Sequence, residues 1–329
     1  MAFGIVLAAW LGSPAARAQK LPQSHRLGLL FVGRPLQPDA PPPDFSKESK
    51  ELSPAMRAFM APIAEHGHLV GKNLAVELRV GEYEQLPALA AELERHKVDV
   101  IFTAGTKTAR IVQRTVKTTP LVIYSCDPFE HVRQLARPGG NLTGSTCMTS
   151  ELSPKRLELL KELLPKASDV VFFGDPDDAP VGWQLTRELA PKLGVRLRSV
   201  AYKGREGIAD GLRAVARERP DAVFVYPDAI LVEERGQIAE IALTHHLPTM
   251  HAFPEMAEAG GLMSYGADTV EMFAMLGEQV AQILDGARPS EVPVRRAMRF
   301  HLVINLKTAK ELGVTVPRSL LLRADRLIE

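Results

Sequence analysis

Short apolar runs alternate with amphipathic, helix-length segments along most of the chain. Strands are predicted at Leu27–Gly33, Leu74–Val80, Val98–Thr103, Leu121–Ser125, Val170–Gly174, Val195–Ala201, Ala222–Tyr226, Pro248–His251 and Leu262–Tyr265. Such short apolar runs, bounded by turn residues, are the pattern of strands buried on both faces. Helices are predicted between them, at Ser53–His66, Tyr83–His96, Thr106–Thr118, Ser153–Leu164, Val181–Leu193, Gly207–Arg219, Ala229–His245 and Thr269–Gly286. Strand alternating with helix implies an α/β protein, with a parallel sheet covered by helices on both faces. A Pro-Gly-Gly break at residues 138–140 separates the first strand–helix units from a second set beginning at Ser153, so two doubly wound halves are expected. The Pro-rich polar stretch 35–51 should be an irregular surface loop.

Length supports the division, because 329 residues with 46% hydrophobic content exceed what one core usually serves. Charge removes partners: 40 basic against 39 acidic residues provide no field to attract nucleic acid or anionic lipid. At the N-terminus, the apolar run Ala2–Gly12 is too short for the roughly 20 residues of a membrane helix. Ala16-Arg17-Ala18 then satisfies the small-x-small cleavage rule. Residues 1–18 are therefore expected to be a signal peptide cut before Gln19, which places the mature protein in the periplasm. No Lys or Arg precedes the run, so the usual basic n-region is missing, and the competing reading is a frayed helix. Because residue 19 is Gln rather than Cys, neither a lipid anchor nor direct membrane insertion is expected.

In open parallel sheets, ligands bind beyond the carboxyl ends of the strands. The residues standing there are Arg34, Gly105-Thr106, Ser125-Cys126-Asp127-Pro128, Asp175-Pro176-Asp177, Tyr226-Pro227-Asp228 and Phe253-Pro254. Gly105-Thr106 opens a helix, whose free amides and hydroxyl suit a carboxylate, although Thr at that position is more commonly a cap. Asp127 and Asp228 each sit in a proline-fixed turn, where a carboxylate can accept hydrogen bonds from an ammonium or hydroxyl; capping the next helix is the alternative. Tyr226, Phe253 and Tyr265 are candidates for apolar walls.

Catalytic and phosphate-binding templates are missing from the sequence, and the histidine pairs 66/68 and 245/246 lack metal-like spacing. No cofactor and no metal is expected. Cys126 and Cys147 are too few for a disulfide framework, and whether they pair is left open by the sequence.

With those residues in place, the sequence resembles the ABC transporter substrate-binding proteins that include the tryptophan and tyrosine uptake binders. The likeness runs from about Leu27 to the C-terminus. It rests on "DVIFTAGT", "DPFEHVRQLARPGGNLTG" leading to "ELSPKRLELLKELLP", "VFVYPDA", "AGGLMSYG" and "FHLVINLKTAKELGVTVPRSLLLRADRLIE". The resemblance implies the type I periplasmic-binding-protein fold, with two lobes joined by three crossovers and closing on a small ligand. The crossovers would lie near Asn141–Thr146, Leu262–Gly266 and Pro289–Arg296. Lobe 1 would comprise residues 19–143 and 265–290, and lobe 2 residues 144–264 and 291–329. By resemblance, Gly105 and Thr106 would grip a ligand carboxylate, Ser125 and Asp127 its polar head, and Asp228 would serve from the second lobe. Asp175 stands where relatives commonly carry Asn, and Lys107 where Pro is common, so ligand identity does not transfer. The implied partners are a small organic ligand, an amino acid or an aromatic or other organic acid, and an ABC permease, with the receptor a monomer. A ligand sensor serving a signalling partner and an enzyme on the same scaffold are the alternatives from other classes.

Overall fold

A computed structural model describes residues 24–35, 43–46, 49–127 and 131–329. The expected signal peptide, much of the Pro-rich stretch and residues 128–130 lie outside this set. In chain order, the first part carries β1 (His25–Val32), α1 (Pro54–Glu65), β2 (Leu74–Gly81), α2 (Leu86–Arg95), β3 (Val100–Ala104), α3 (Thr106–Thr115), β4 (Leu121–Ser125) and β5 (Leu142–Thr146). Next come α4 (Thr149–Leu163), β6 (Asp169–Phe173), α5 (Pro180–Leu189), β7 (Arg196–Val200), α6 (Gly207–Arg217), β8 (Ala222–Val225), α7 (Ala229–Glu233), α8 (Arg235–Thr244), β9 (Thr249–His251), α9 (Pro254–Glu258) and β10 (Met263–Ala267). The chain ends through α10 (Thr269–Leu284), β11 (Arg295–Arg296), β12 (Phe300–Asn305), α11 (Leu306–Glu311), α12 (Arg318–Arg323) and β13 (Arg326–Ile328).

Two sheets form, one in the order β11-β5-β4-β3-β1-β2 and the other β13-β12-β10-β9-β8-β6-β7. Every ladder is parallel except β10 against β12. All strands except β12 and β13, which run parallel to each other and opposite to the rest of their sheet, therefore aim their carboxyl ends at one edge, and there the two lobes face each other.

The passages between lobes fall a few residues later than the sequence suggested. β5 is complete in the first sheet before α4 begins the second lobe, β10 belongs wholly to the second sheet, and β11 still pairs with β5 in the first. Residues 144–146 and 295–296 therefore belong to lobe 1 and 265–267 to lobe 2, correcting the expected boundaries. The physical reason is that a strand leaves its sheet only once its ladder hydrogen bonds are complete.

The helix expected over 229–245 is broken at Glu234, whose backbone (φ −84°, ψ 15°) ends α7 and caps α8. The helix expected from Ser153 starts earlier, at Thr149.

α10 crosses back to cover lobe 1, where Phe102 stacks on Phe59 at 4.4 Å and meets Phe273 edge-on at 5.6 Å. Its C-terminus is clipped to that of α1 by Asp285, whose carboxylate is 2.6 Å from His66 Nδ1 and 2.9 Å from His68 Nε2. The hydrogen bond to Asp285 raises the His66 pKa above its ordinary value. Burial pushes the Asp285 carboxyl up, but the two histidines more than offset it and hold it low. A raised histidine contributes fully below its unfolded value of about 6.5, and that contribution is lost as pH rises through the folded value. The thermal-midpoint difference between the wild type and His66→Gln should accordingly be larger at pH 5.5 than at pH 8.5. An equal difference at both pH values would show that the clip does not depend on charge.

Candidate functional site

Two neighbouring cavities occupy the cleft between the lobes. The smaller, of about 140 Å³, is lined from lobe 1 by Tyr83, Gly105, Thr106 and Lys107 and from lobe 2 by Asp175, Asp178, Tyr202, Tyr226 and Asp228, among others. The larger, of about 830 Å³, is bordered by Tyr124, Cys126, Phe253, Phe273, Glu255 and Arg235, among others. Gly105 and Asp228 border both.

Gly105 is the constriction between the lobes. Its φ of +103° is a conformation that side-chain-bearing residues avoid, and a Cβ there would lie 3.2 Å from the Ala229 methyl of the opposite lobe. Glycine thus lets the first turn of α3, with its unfilled amides, approach lobe 2 closely.

Asp228 has two duties. One carboxylate oxygen accepts from the Ile230 N–H at 2.8 Å and caps α7; the other accepts from the Tyr83 hydroxyl at 2.8 Å, across the cleft. Burial, followed by the nearby Asp228 carboxylate, raises the hydroxyl pKa of both Tyr83 and Tyr202, so both remain neutral hydrogen-bond donors. Lys107 makes a second link between lobes, reaching Asp178 at 2.6 Å with its ammonium 4.7 Å from the centre of the Tyr83 ring. Lys107, in the first turn of α3, therefore serves as one half of an interlobe ion pair.

A third link lies at the rim. Arg205 of lobe 2 contacts Glu233 (2.7 Å) and Glu234 (2.5 Å) of its own lobe and Glu82 of lobe 1 (2.9 Å), while Arg34 of lobe 1 reaches Glu234 at 3.1 Å. Burial pushes the Glu234 carboxyl up, but Arg205 and Arg34 more than offset it, leaving the carboxyl low and charged. Of the Arg205 contacts only the one to Glu82, which is about a third exposed, is lost when the lobes part, since Glu233 and Glu234 belong to Arg205's own lobe. Arg205→Ala should therefore weaken the closed arrangement by about 1 kcal/mol, raising the open share about fivefold. Small-angle scattering of the unliganded variant should give a larger radius of gyration than the wild type, and an unchanged radius would show that the rim does not hold the lobes together.

Of the residues expected from sequence, Gly105, Thr106, Asp175, Tyr226 and Asp228 come together around the smaller cavity, and Phe253 borders the larger. The others stand elsewhere. Ser125 is buried behind the wall, its hydroxyl donating to the Asp127 carbonyl at 3.1 Å and lying 3.3 Å from Thr106 Oγ1. Asp127 is buried at the end of β4 and lines neither cavity. Arg34 is a rim residue. Tyr265 stays inside β10, its ring 6.3 Å from that of Phe300 and its carbonyl accepting from Arg156. Thr106 is partly committed, its hydroxyl accepting from the Cys126 N–H at 3.0 Å. Asp175 accepts from the Asp177 N–H at 2.9 Å in a local turn.

Tyr83, Lys107, Asp178, Tyr202 and Arg205 were not anticipated. Tyr83 and Tyr202 each stand two residues beyond a strand, β2 and β7, so applying the strand-end rule to those strands would have found them. Among the described residues, no group of three His, Cys, Asp or Glu is arranged to hold a metal ion, and no helix is long and apolar enough to cross a membrane.

Residues 52–328 match the family model described as ABC transporter substrate binding protein. The chain belongs to that family. It is 23% identical over 276 residues to a tyrosine-binding protein of Clostridioides difficile, covering 81% of this chain and 79% of the relative. Among solved structures, a conserved domain protein from Vibrio cholerae superposes with a TM-score of 0.81 at 23% identity, covering 93% of this chain and all (100%) of that one. An ABC domain from Streptococcus pneumoniae in complex with L-Trp gives a TM-score of 0.80 at 22% identity, with the same coverage of 93% and 100%. The two parallel-sheet lobes are the type I periplasmic-binding-protein fold, and the family members are solute-binding proteins rather than enzymes.

Proposed function

We propose that this substrate-binding protein is an extracytoplasmic, monomeric receptor that closes its lobes on a small organic ligand and presents the closed form to an ABC permease. The observation that carries this reading is the Tyr83–Asp228 hydrogen bond of 2.8 Å, which joins the lobes across a cavity lined by strand ends from both. Groups that meet one another across the cleft are also placed to be bridged by a guest. The ligand's preference for the closed state is what drives the equilibrium, since a guest shifts a two-state protein only by its differential affinity.

The lining favours an amino acid or an aromatic or other organic acid. Asp228 and Asp175 suit an ammonium, the free amides opening α3 together with Lys107 suit a carboxylate, and Tyr83, Tyr202 and Tyr226 suit an apolar or aromatic body. The relatives named as binding tyrosine or holding L-Trp are consistent with that class. No nucleophile–base pair is part of the reading, so binding without turnover is proposed.

A thermal-shift screen of residues 19–329 against amino acids, aromatic acids, sugars and nucleosides tests it. A rise confined to one of the first two classes is expected. A rise with sugars or nucleosides alone would overturn the ligand class, and no rise with any compound would count against a receptor for small metabolites.

A further inference from the structure

We infer that Cys126 and Cys147 are a redox-active dithiol that closes to an intramolecular disulfide at the first passage between the lobes. β4 and β5 run in parallel register with Ser125 opposite Thr146 as the last pair, and each cysteine is the residue immediately after its strand. Neighbouring parallel strands lie about 4.8 Å apart, within the range of roughly 4.4–6.8 Å that a disulfide spans between Cα atoms. Both thiols are free and buried, with their sulfurs 2.7 Å apart.

The surroundings differentiate the two sulfurs. Cys126 borders the 830 Å³ cavity, which gives a small oxidant access, whereas Cys147 is fully enclosed. The Thr149 hydroxyl lies 3.0 Å from the Cys147 sulfur, and the Arg156 guanidinium donates to the Thr149 carbonyl at 3.0 Å. Burial pushes the Cys147 thiol up, but its contacts with Cys126 and Thr149 and the Arg156 charge more than offset it, leaving it below the usual thiol value. Cys147 is therefore the better-placed resolving thiolate.

The oxidant required is a small-molecule or protein disulfide. The contact with Cys147 and burial push the Cys126 thiol up, but it is the sulfur that borders the cavity. Its thiolate attacks one sulfur of that disulfide, forming a mixed disulfide and releasing the first thiol. The Cys147 sulfur then attacks the Cys126 sulfur, forming the Cys126–Cys147 bond and releasing the second thiol. The protons of the two cysteines pass to the two departing thiolates, and the oxidant is reduced by two electrons.

Closing this bond ties the chain leaving lobe 1 to the end of β4, immediately before the left-handed residue Met148 (φ 56°) that turns it into α4. The constraint also reaches the cleft, because the Cys126 N–H holds Thr106 Oγ1 at 3.0 Å.

The test treats the purified full chain with oxidised glutathione, then alkylates it under denaturing conditions and compares it with a dithiothreitol-reduced sample. The expected result is complete loss of both alkylatable thiols, a monomer about 2 Da lighter than the reduced one before alkylation, and full reversal by dithiothreitol. Because the bond spans 21 residues of chain, the oxidised form should also melt about 5 °C higher than the reduced one. Cys147→Ser should stop at a glutathione adduct and show no such rise. Two thiols still alkylatable after oxidation, a doubly glutathionylated wild type, or disulfide-linked dimers would overturn the inference, and these outcomes are read on the wild type whether or not the variant folds.

Discussion

Asp228→Ala is expected to reduce affinity for the cognate ligand about 100-fold. The carboxylate borders the smaller cavity and also bonds the opposite lobe, through Tyr83 at 2.8 Å. Truncating one side of a charged, largely desolvated hydrogen-bonded contact costs about 2–5 kcal/mol, and 3 kcal/mol corresponds to roughly two orders of magnitude in affinity. The substitution also removes the α7 cap, a separate loss of about 1 kcal/mol in stability. Asp228→Asn separates the two effects, since asparagine caps helices as well as aspartate does but carries no charge. Titration calorimetry should show the Asn variant binding weakly while its unliganded thermal midpoint stays near that of the wild type. Wild-type affinity in the Asn variant would mean that the carboxylate's charge does not contact the guest.

The largest stability loss should come from Arg156. This side chain is fully buried, and its guanidinium donates to the Tyr265 carbonyl at 2.6 Å and the Thr149 carbonyl at 3.0 Å. Those carbonyls belong to β10 and to the start of α4, so one planar fork ties together the segments flanking two of the three interlobe passages. Burial lowers the Arg156 pKa to about 10, so it is still protonated near neutral pH and its donors remain occupied. Arg156→Met keeps much of the volume but leaves buried carbonyls without their donor, at about 1–3 kcal/mol each, partly relieved by no longer desolvating a charge. A net loss of about 3 kcal/mol, or a midpoint about 5 °C lower by differential scanning calorimetry, is expected. Arg156→Lys should recover only part of it, because an ammonium is a point charge and does not reproduce the fork. A midpoint within a degree of the wild type for Arg156→Met would show that the two segments hold their positions without the clamp.

The strand–helix alternation was legible because most strands are buried by their own side chains, as in Val170-Val171-Phe172-Phe173. β5 was not, because Leu142-Thr143-Gly144-Ser145-Thr146 is polar in composition and buried by partners instead. Thr143 donates to the Val292 carbonyl at 2.7 Å, and Ser145 donates to Gln279 of α10 at 3.0 Å. Gly144 fits because a Cβ there would meet the Ile123 carbonyl oxygen at 1.9 Å. Val292 and Gln279 are more than a hundred residues away in sequence, beyond the reach of local periodicity.

The site was legible on the same terms. Strand-end reasoning found Gly105, Thr106, Asp175, Tyr226 and Asp228, whose positions follow from where a strand stops. It also pointed to Ser125 and Asp127, which line neither cavity although their neighbours Tyr124 and Cys126 border the larger one, because the Ser125 hydroxyl is engaged with Thr106 and the Asp127 carbonyl behind the wall. It was silent on Lys107, Asp178 and Arg205, whose partners are set by how one lobe meets the other.

A crystal structure of the chain with the compound that most raises its melting temperature tests closure around a guest most directly. Ligand density touching both the Gly105–Thr106 turn and Asp228 is the expected result. Density confined to residues of one lobe, with the Tyr83–Asp228 contact undisturbed, would contradict it.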